Sequence, residues 1–201
     1  MIPVIEIAKS MRYALGDMQG ITVSDYELVE PINQAVNKLY ADLGQRHIRE
    51  VTKEEKVTIN ATTKSFKLPD DFIRISQVLG AFKENPTDAD YSVIIPTTNR
   101  AAVKGAYRLV NRNMTMYEGT YYIEYYYVPA KVETLSDDLD VPESMRSWIE
   151  QLSLAMYKKD MAMANTVVTQ AEYALSGREI PRFENAGHSQ NLGVTGVASN
   201  P

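Results

Sequence analysis

Apolar residues recur at helical spacing near both ends of the chain and alternate with polar ones in its middle. Within PVIEIAKSMRYAL, residues 3–15, Ile7, Met11 and Leu15 fall four residues apart, which predicts a short amphipathic helix stopped by Gly16. A second stripe, Leu28, Ile32, Ala35, Val36, Leu39, Tyr40 and Leu43, predicts a longer helix up to Gly44. Ser24 and Glu27 are spaced as a capping box at its start. Pro31 leaves two readings open. Either Ser24 caps a helix that kinks at the proline, or the regular helix begins near Pro31, where a missing N–H costs nothing.

From about residue 54 the period shortens to two, the mark of a strand region. In KVTINATTKSFKL, Val57 and Ile59 alternate outward and Phe66 and Leu68 alternate back across ATTK, which predicts a hairpin. FIRISQVLGAF and YSVIIP read as further strands around the polar loop KENPTDAD, and AYRLVNRNMTMYEGTYYIEYYYVP offers two more on either side of a tight turn at Glu118-Gly119. The region reads as an antiparallel meander of roughly five or six short strands.

The polar stretch AKVETLSDD leads out to a last apolar stripe. Pro142 and Glu143 suit a first helical turn, and Met145, Ile149, Leu152, Met156, Met163, Val167, Ala171 and Ala174 lie on one face as far as Gly177. The stripe lapses at Lys158, Lys159 and Asp160. A continuous helix over 142–176 would be roughly 50 Å long. That exceeds what a compact domain of this size needs, so its second half is expected to face a partner. The fold class that follows is α+β: N-terminal helices (1–50), an inserted antiparallel β meander (51–130), an acidic linker and long helix packed on the N-terminal helices (131–176), and an extended tail (177–201).

That tail changes the picture from a self-sufficient domain to a component. GHSQNLGVTGVASNP carries three separated branched apolar residues, Leu192, Val194 and Val197, too few to offset the entropy of ordering the segment alone. A neighbour would have to supply the surface it lacks.

Composition narrows the classes. The chain has 201 residues, 44% of them hydrophobic and 23% charged, values ordinary for a globular protein. A net charge of -5 argues against general nucleic-acid affinity, which Lys and Arg drive. With no cysteine there is no disulfide, thiol nucleophile or thiolate metal site, which fits assembly in a reducing cytosol. No apolar run reaches the roughly 18 residues of a membrane span. MIPVIEIAKSMR lacks the basic start of a signal peptide.

Each candidate for chemistry meets a plainer explanation. Tyr121, Tyr122, Tyr125, Tyr126 and Tyr127 could stack bases or sugars, but alternation spreads them over both faces of one strand, and tyrosine is favoured in strands and at protein interfaces. We therefore expect packing, or a subunit or tail interface. SDDLDVPE lacks the glycine and the twelfth-position glutamate of a calcium loop. Asp70 and Asp71 read as turn residues rather than an acid–base pair, and Arg46, His47 and Arg49 as cations at a helix C-terminus. His47 and His188, the only histidines, are far apart in sequence. No phosphate loop, GxGxxG, HExxH or GxSxG motif is present. No catalytic residue, metal or cofactor is expected.

The order of elements resembles a family, the head-tail connector or adaptor proteins of tailed bacteriophages, including the tail accessory factors of short-tailed phages. The resemblance lies in PINQAVNKLYADL, in KSFKLPDDFIRISQV, and in YYYVPAKVETLSDDLDVPESMRSWIEQLSLAMYKKD, where an acidic extended segment feeds a Pro-started helix followed by a loose tail. It implies a structural virion protein without enzymatic activity. It further implies a ring, usually dodecameric, at the portal vertex of the head-tail junction, assembled in the host cytoplasm. Such a ring binds the portal protein, extends the channel through which genomic DNA passes without sequence-specific contact, and carries nozzle or tail-tube proteins. Carried onto this chain, 142–201 becomes the portal-facing arm, with Ile180, Phe183, Leu192, Val194 and Val197 as anchors. A ligand-binding module on the tyrosine strand, and a head-completion or tail-terminator subunit, are the alternatives.

Overall fold

The computed structural model describes residues 1–60, 62, 64–81, 92–102 and 104–177. The chain is α+β, four helices with an inserted β region. It opens with a two-residue strand, β1 (Ile2–Pro3), and then α1 (Val4–Leu15), which buries Val4, Ile7, Ala8 and Met11. Gly16 stops α1 in the left-handed region at φ 74°, where a side chain would be strained. The second helix, α2 (Asp25–Gln45), resolves the choice left by Pro31. Ser24 caps it, with both arms of the capping box to Glu27 in place, and the helix runs through the proline.

The β region forms two four-stranded sheets. In the first, the order is β2 (Thr52–Ile59), β9 (Gly119–Tyr127), β4 (Phe72–Ala81) and β5 (Ser92–Val93), all antiparallel. In the second, β3 (Ser65–Lys67), β8 (Asn113–Met116), β7 (Ala106–Val110) and β6 (Ile95–Pro96) follow one another, with β6 parallel to β7.

This order is not a meander. The strands flanking residues 60–64 do not form the expected hairpin, since β2 pairs with β9 and β3 with β8. Nor does Glu118-Gly119 join two paired strands, because β8 and β9 belong to different sheets. The tight turn falls instead at Asn111-Arg112, both at positive φ (50° and 65°), between β7 and β8. That is the geometry of the mirror-image turn that suits the twist of a hairpin. The chain crosses between the sheets repeatedly. At one crossing, Ile94 N–H bonds the Val78 carbonyl of β4 at 2.8 Å, and Ile95 N–H bonds Gly105 on the other side at 3.3 Å.

The way back to the helices is built by hydrogen bonds. β10 (Asp138–Leu139) pairs with β1, and Val4 N–H reaches the Asp137 carbonyl at 3.0 Å. The expected long helix is two helices. After a 3-10 turn (Glu143–Met145), α3 (Arg146–Tyr157) packs on α1 and α2 and ends at Lys158. α4 (Met161–Ser176) then packs on α3 and α2. Lys159 adopts φ 55°, and the Asp160 carboxylate caps α4 by accepting from Met163 N–H at 2.9 Å. The lapse of the stripe at Lys158–Asp160 is therefore a corner, which lets Val167, Val168 and Ala171 join the chain's own core. One continuous cluster of buried side chains runs from Ile2 through the sheets to Ala171.

Candidate assembly surfaces

The tyrosines of β9 are core residues. Tyr121, Tyr125, Tyr126 and Tyr127 are all buried, because the central strand of the first sheet is covered on both faces. Tyr127 meets the buried Tyr40 of α2 edge-on at 5.2 Å between ring centres, and the Lys53 ammonium lies 4.1 Å from the centre of the Tyr127 ring. Burial raises the Tyr40 hydroxyl's pKa, and pushes that of Tyr121 up to about 12. The expected interface role therefore does not fall to these four within the folded chain. Tyr122 alone is half-exposed, with the Lys56 ammonium 5.6 Å over its ring.

The charged candidates have structural partners. Lys53 bridges Asp71 at 3.3 Å and Asp140 at 3.2 Å, tying the first sheet to the exit linker. Asp70 pairs with Arg112 at 2.7 Å. Arg49 pairs with Glu124 at 3.2 Å, and Arg46 pairs with Glu172 of α4. In the acidic stretch, Asp137 accepts from the backbone N–H groups of Glu133 and Thr134, both at 2.8 Å. These bonds hold its carboxyl below the usual range. Among the described residues, no group of three or more His, Asp or Glu could hold a metal ion. No helix among them is long and apolar enough to cross a membrane. His188, Ile180, Phe183, Leu192, Val194 and Val197 lie outside the described residues.

Around the α1–α2 connection, Asp17 organises a loop. Its carboxylate accepts from the N–H groups of Ile21, Thr22 and Val23 at 2.9, 3.1 and 2.8 Å, and pairs with Arg12 at 3.3 Å. Burial pushes its pKa up, but the hydrogen bonds from Thr22, Val23 and Ile21 win and hold it below the ordinary value of 3.8. A carboxyl whose folded pKa is depressed stabilises the fold above its unfolded pKa and loses that contribution as pH falls through the folded one. Urea midpoints are thus expected to decline once pH drops below 3.8. Asp17→Asn should flatten part of that decline and lower the neutral-pH midpoint. An unchanged acid profile in the variant would show that the loop does not depend on the charge.

Among the described residues, two of the surface grooves bear on assembly. One is a polar groove of about 500 Å³ at the junction of the sheets, between Ile75–Val78, Val93–Pro96 and Tyr126. The other, of about 650 Å³, is more apolar and lies between the starts of α1 and α2 and the acidic exit linker. Ile5, Tyr26, Val29 and Leu135 line it, with Glu133 and Asp137 on its rim, and Tyr26 is 85% exposed. No stripe or motif in the sequence marks this groove. Its one available signal was Tyr26, a large aromatic two residues after the cap and off the apolar stripe.

A family model described as SU10 adaptor protein matches residues 4–187. The chain belongs to that family. It is a structural bacteriophage adaptor protein, a component of the virion, and the head-tail adaptor resemblance drawn from its sequence holds. Among curated proteins no significant match to this adaptor is found. The match takes in every helix and strand of the adaptor from α1 onward and stops short of residues 188–201.

Proposed function

We propose that this adaptor forms a closed ring between portal and tail, extends the DNA channel and offers a platform to tail proteins. Membership of the adaptor family over residues 4–187 carries the reading. The ring is taken as dodecameric by resemblance, and the adaptor works by binding, without catalysis. Subunits repeat one heterologous contact until rotation closes it. A net charge of -5 suits a lumen through which DNA must slide, since like charge resists sticking. The tail beyond Gly177 serves as the portal-docking segment, with Ile180, Phe183, Leu192, Val194 and Val197 as anchors. Ordering it costs entropy that the new interface must exceed.

Gly177 caps α4 at φ 64°, so a chain ending there keeps every packed helix. Light scattering of purified chain mixed with portal rings tests the reading. The full chain is expected to join the portal. The chain truncated after Gly177 is expected to fold with the same urea midpoint and stay apart. Equal portal binding by both would remove the tail from the docking role, and no binding by the full chain would remove the adaptor from the portal.

A further inference from the structure

The groove at the start of α2 has features that select its occupant. Its floor is apolar, from Ile5, Val29 and Leu135, and the exposed Tyr26 ring stands beside it. Glu133 and Asp137 rim it, and neither is paired with a cation among the described residues. An aromatic-sided apolar groove with unpaired carboxylates suits an extended, proline-containing segment that carries arginine.

The chain itself holds such a segment just past α4. Arg178-Glu179-Ile180-Pro181-Arg182-Phe183 combines two cations, two large apolar residues and a proline. Docked with three residues per turn about Pro181, Ile180 and Phe183 would point to one side, into the floor. The segment also lies within the span 4–187 that matches the family, unlike the last residues of the tail.

Reach decides whose groove receives it. α4 ends beside the far end of α2, where Leu175 and Ser176 line a cleft with Arg46 to Glu50 and Arg46 pairs with Glu172. The groove is at the opposite end, at Asp25 to Val29. The intervening helix from Val29 to Arg46 is about 25 Å long. Residues 178–183, fully extended, cover at most about 22 Å from Gly177. A chain cannot place its own Phe183 in its own groove by the shortest path.

We infer that residues 178–183 of one copy dock in the Ile5–Tyr26–Val29–Leu135 groove of a second copy, with Arg178 or Arg182 facing Glu133 and Asp137. The contact is head-to-tail, the type that generates rings when its rotation closes. It departs from the portal docking proposed above by giving Ile180 and Phe183 to the contact between copies, and leaves Leu192, Val194 and Val197 to the portal. Either contact can fail without the other.

The absence of cysteine makes the test direct. Full-length Asn185→Cys and Ser136→Cys chains, which keep Phe183 and Tyr26 in place, are mixed without portal and treated with a short bifunctional thiol crosslinker. The expected product is a covalent dimer carrying both substitutions, far more abundant than dimers from either chain alone or from Asn185→Cys mixed with Lys159→Cys. Arg182→Glu in the Asn185→Cys chain should reduce the yield to the control level. An Asn185→Cys/Ser136→Cys pair no more productive than the Lys159→Cys control would overturn the inference. So would a doubly substituted chain that links mainly within itself, because docking would then be in cis.

Discussion

Replacing Asn33 with alanine is expected to lower the unfolding free energy by about 3 kcal/mol. Asn33 is a polar residue on the buried face of α2, and its amide does the work of a neighbouring strand. Its Nδ2 donates to the Val132 carbonyl at 2.9 Å, and its Oδ1 accepts from the Val132 N–H at 3.0 Å. The exit linker is thereby fixed to the helix. Alanine would leave two buried backbone groups unpaired, each costing about 1–3 kcal/mol. For a domain whose whole stability is about 5–15 kcal/mol that is a large share. Asn33→Asp should be no better, since it keeps the size but sets a carboxylate against the Val132 carbonyl. Urea denaturation reads the effect, and a loss under about 1 kcal/mol would mean the linker is held elsewhere.

Gly80→Val is expected to cost about 3 kcal/mol for the opposite reason, excess volume. Gly80 sits in β4 opposite Tyr121 of β9 and Ser92 of β5. A Cβ there would stand 2.8 Å from Ile94 Cδ1, 2.9 Å from Ile94 Cγ1 and 3.0 Å from Tyr121 Cε1. Both neighbours are buried. Ile94 is also where the chain passes from one sheet to the other, so displacing it disturbs both. Combining Gly80→Val with Ile94→Ala should cost less than the sum of the two single changes, because the second makes space for the first. Strict additivity of the urea-derived values would show that the two side chains do not compete for one volume.

How far the fold could be read from the sequence follows from the range of the forces involved. The capping box at Ser24 and Glu27, the stops at Gly16 and Gly177, and the stripes of α1 and α2 depend on residues three or four apart, so they were legible. Alternation identified β2, β4 and β9 as strands. It did not say which pairs with which, since that depends on contacts such as Val57 opposite Tyr121, distant along the chain. The turn at Asn111-Arg112 has no glycine, and its left-handed φ angles are imposed by the strands on either side. At Lys158–Asp160 the signal was present, a lapse in the stripe and an aspartate able to cap, and the continuous helix was the wrong weighting of it. The tyrosine strand pointed correctly to packing, but only the sheet order puts β9 in the centre. The α2 groove escaped because it is made by three segments that meet only when folded.

The pairing of β2 with β9 has a consequence for how such proteins diverge. Thr52 lies opposite Tyr126, so the chain leaves the helices and returns to them through adjacent strands, about 5 Å apart. Beyond those two strands the β region has a further tie to the helices, where Arg74 of β4 bonds the Gly44 carbonyl in α2. The helical body therefore requires that these two strands meet in register and that β4 keep its contact with α2. Loops and strands beyond these ties are free to lengthen, shrink or be exchanged during evolution, and the same pair of strands is a natural place to graft a foreign hairpin onto this scaffold.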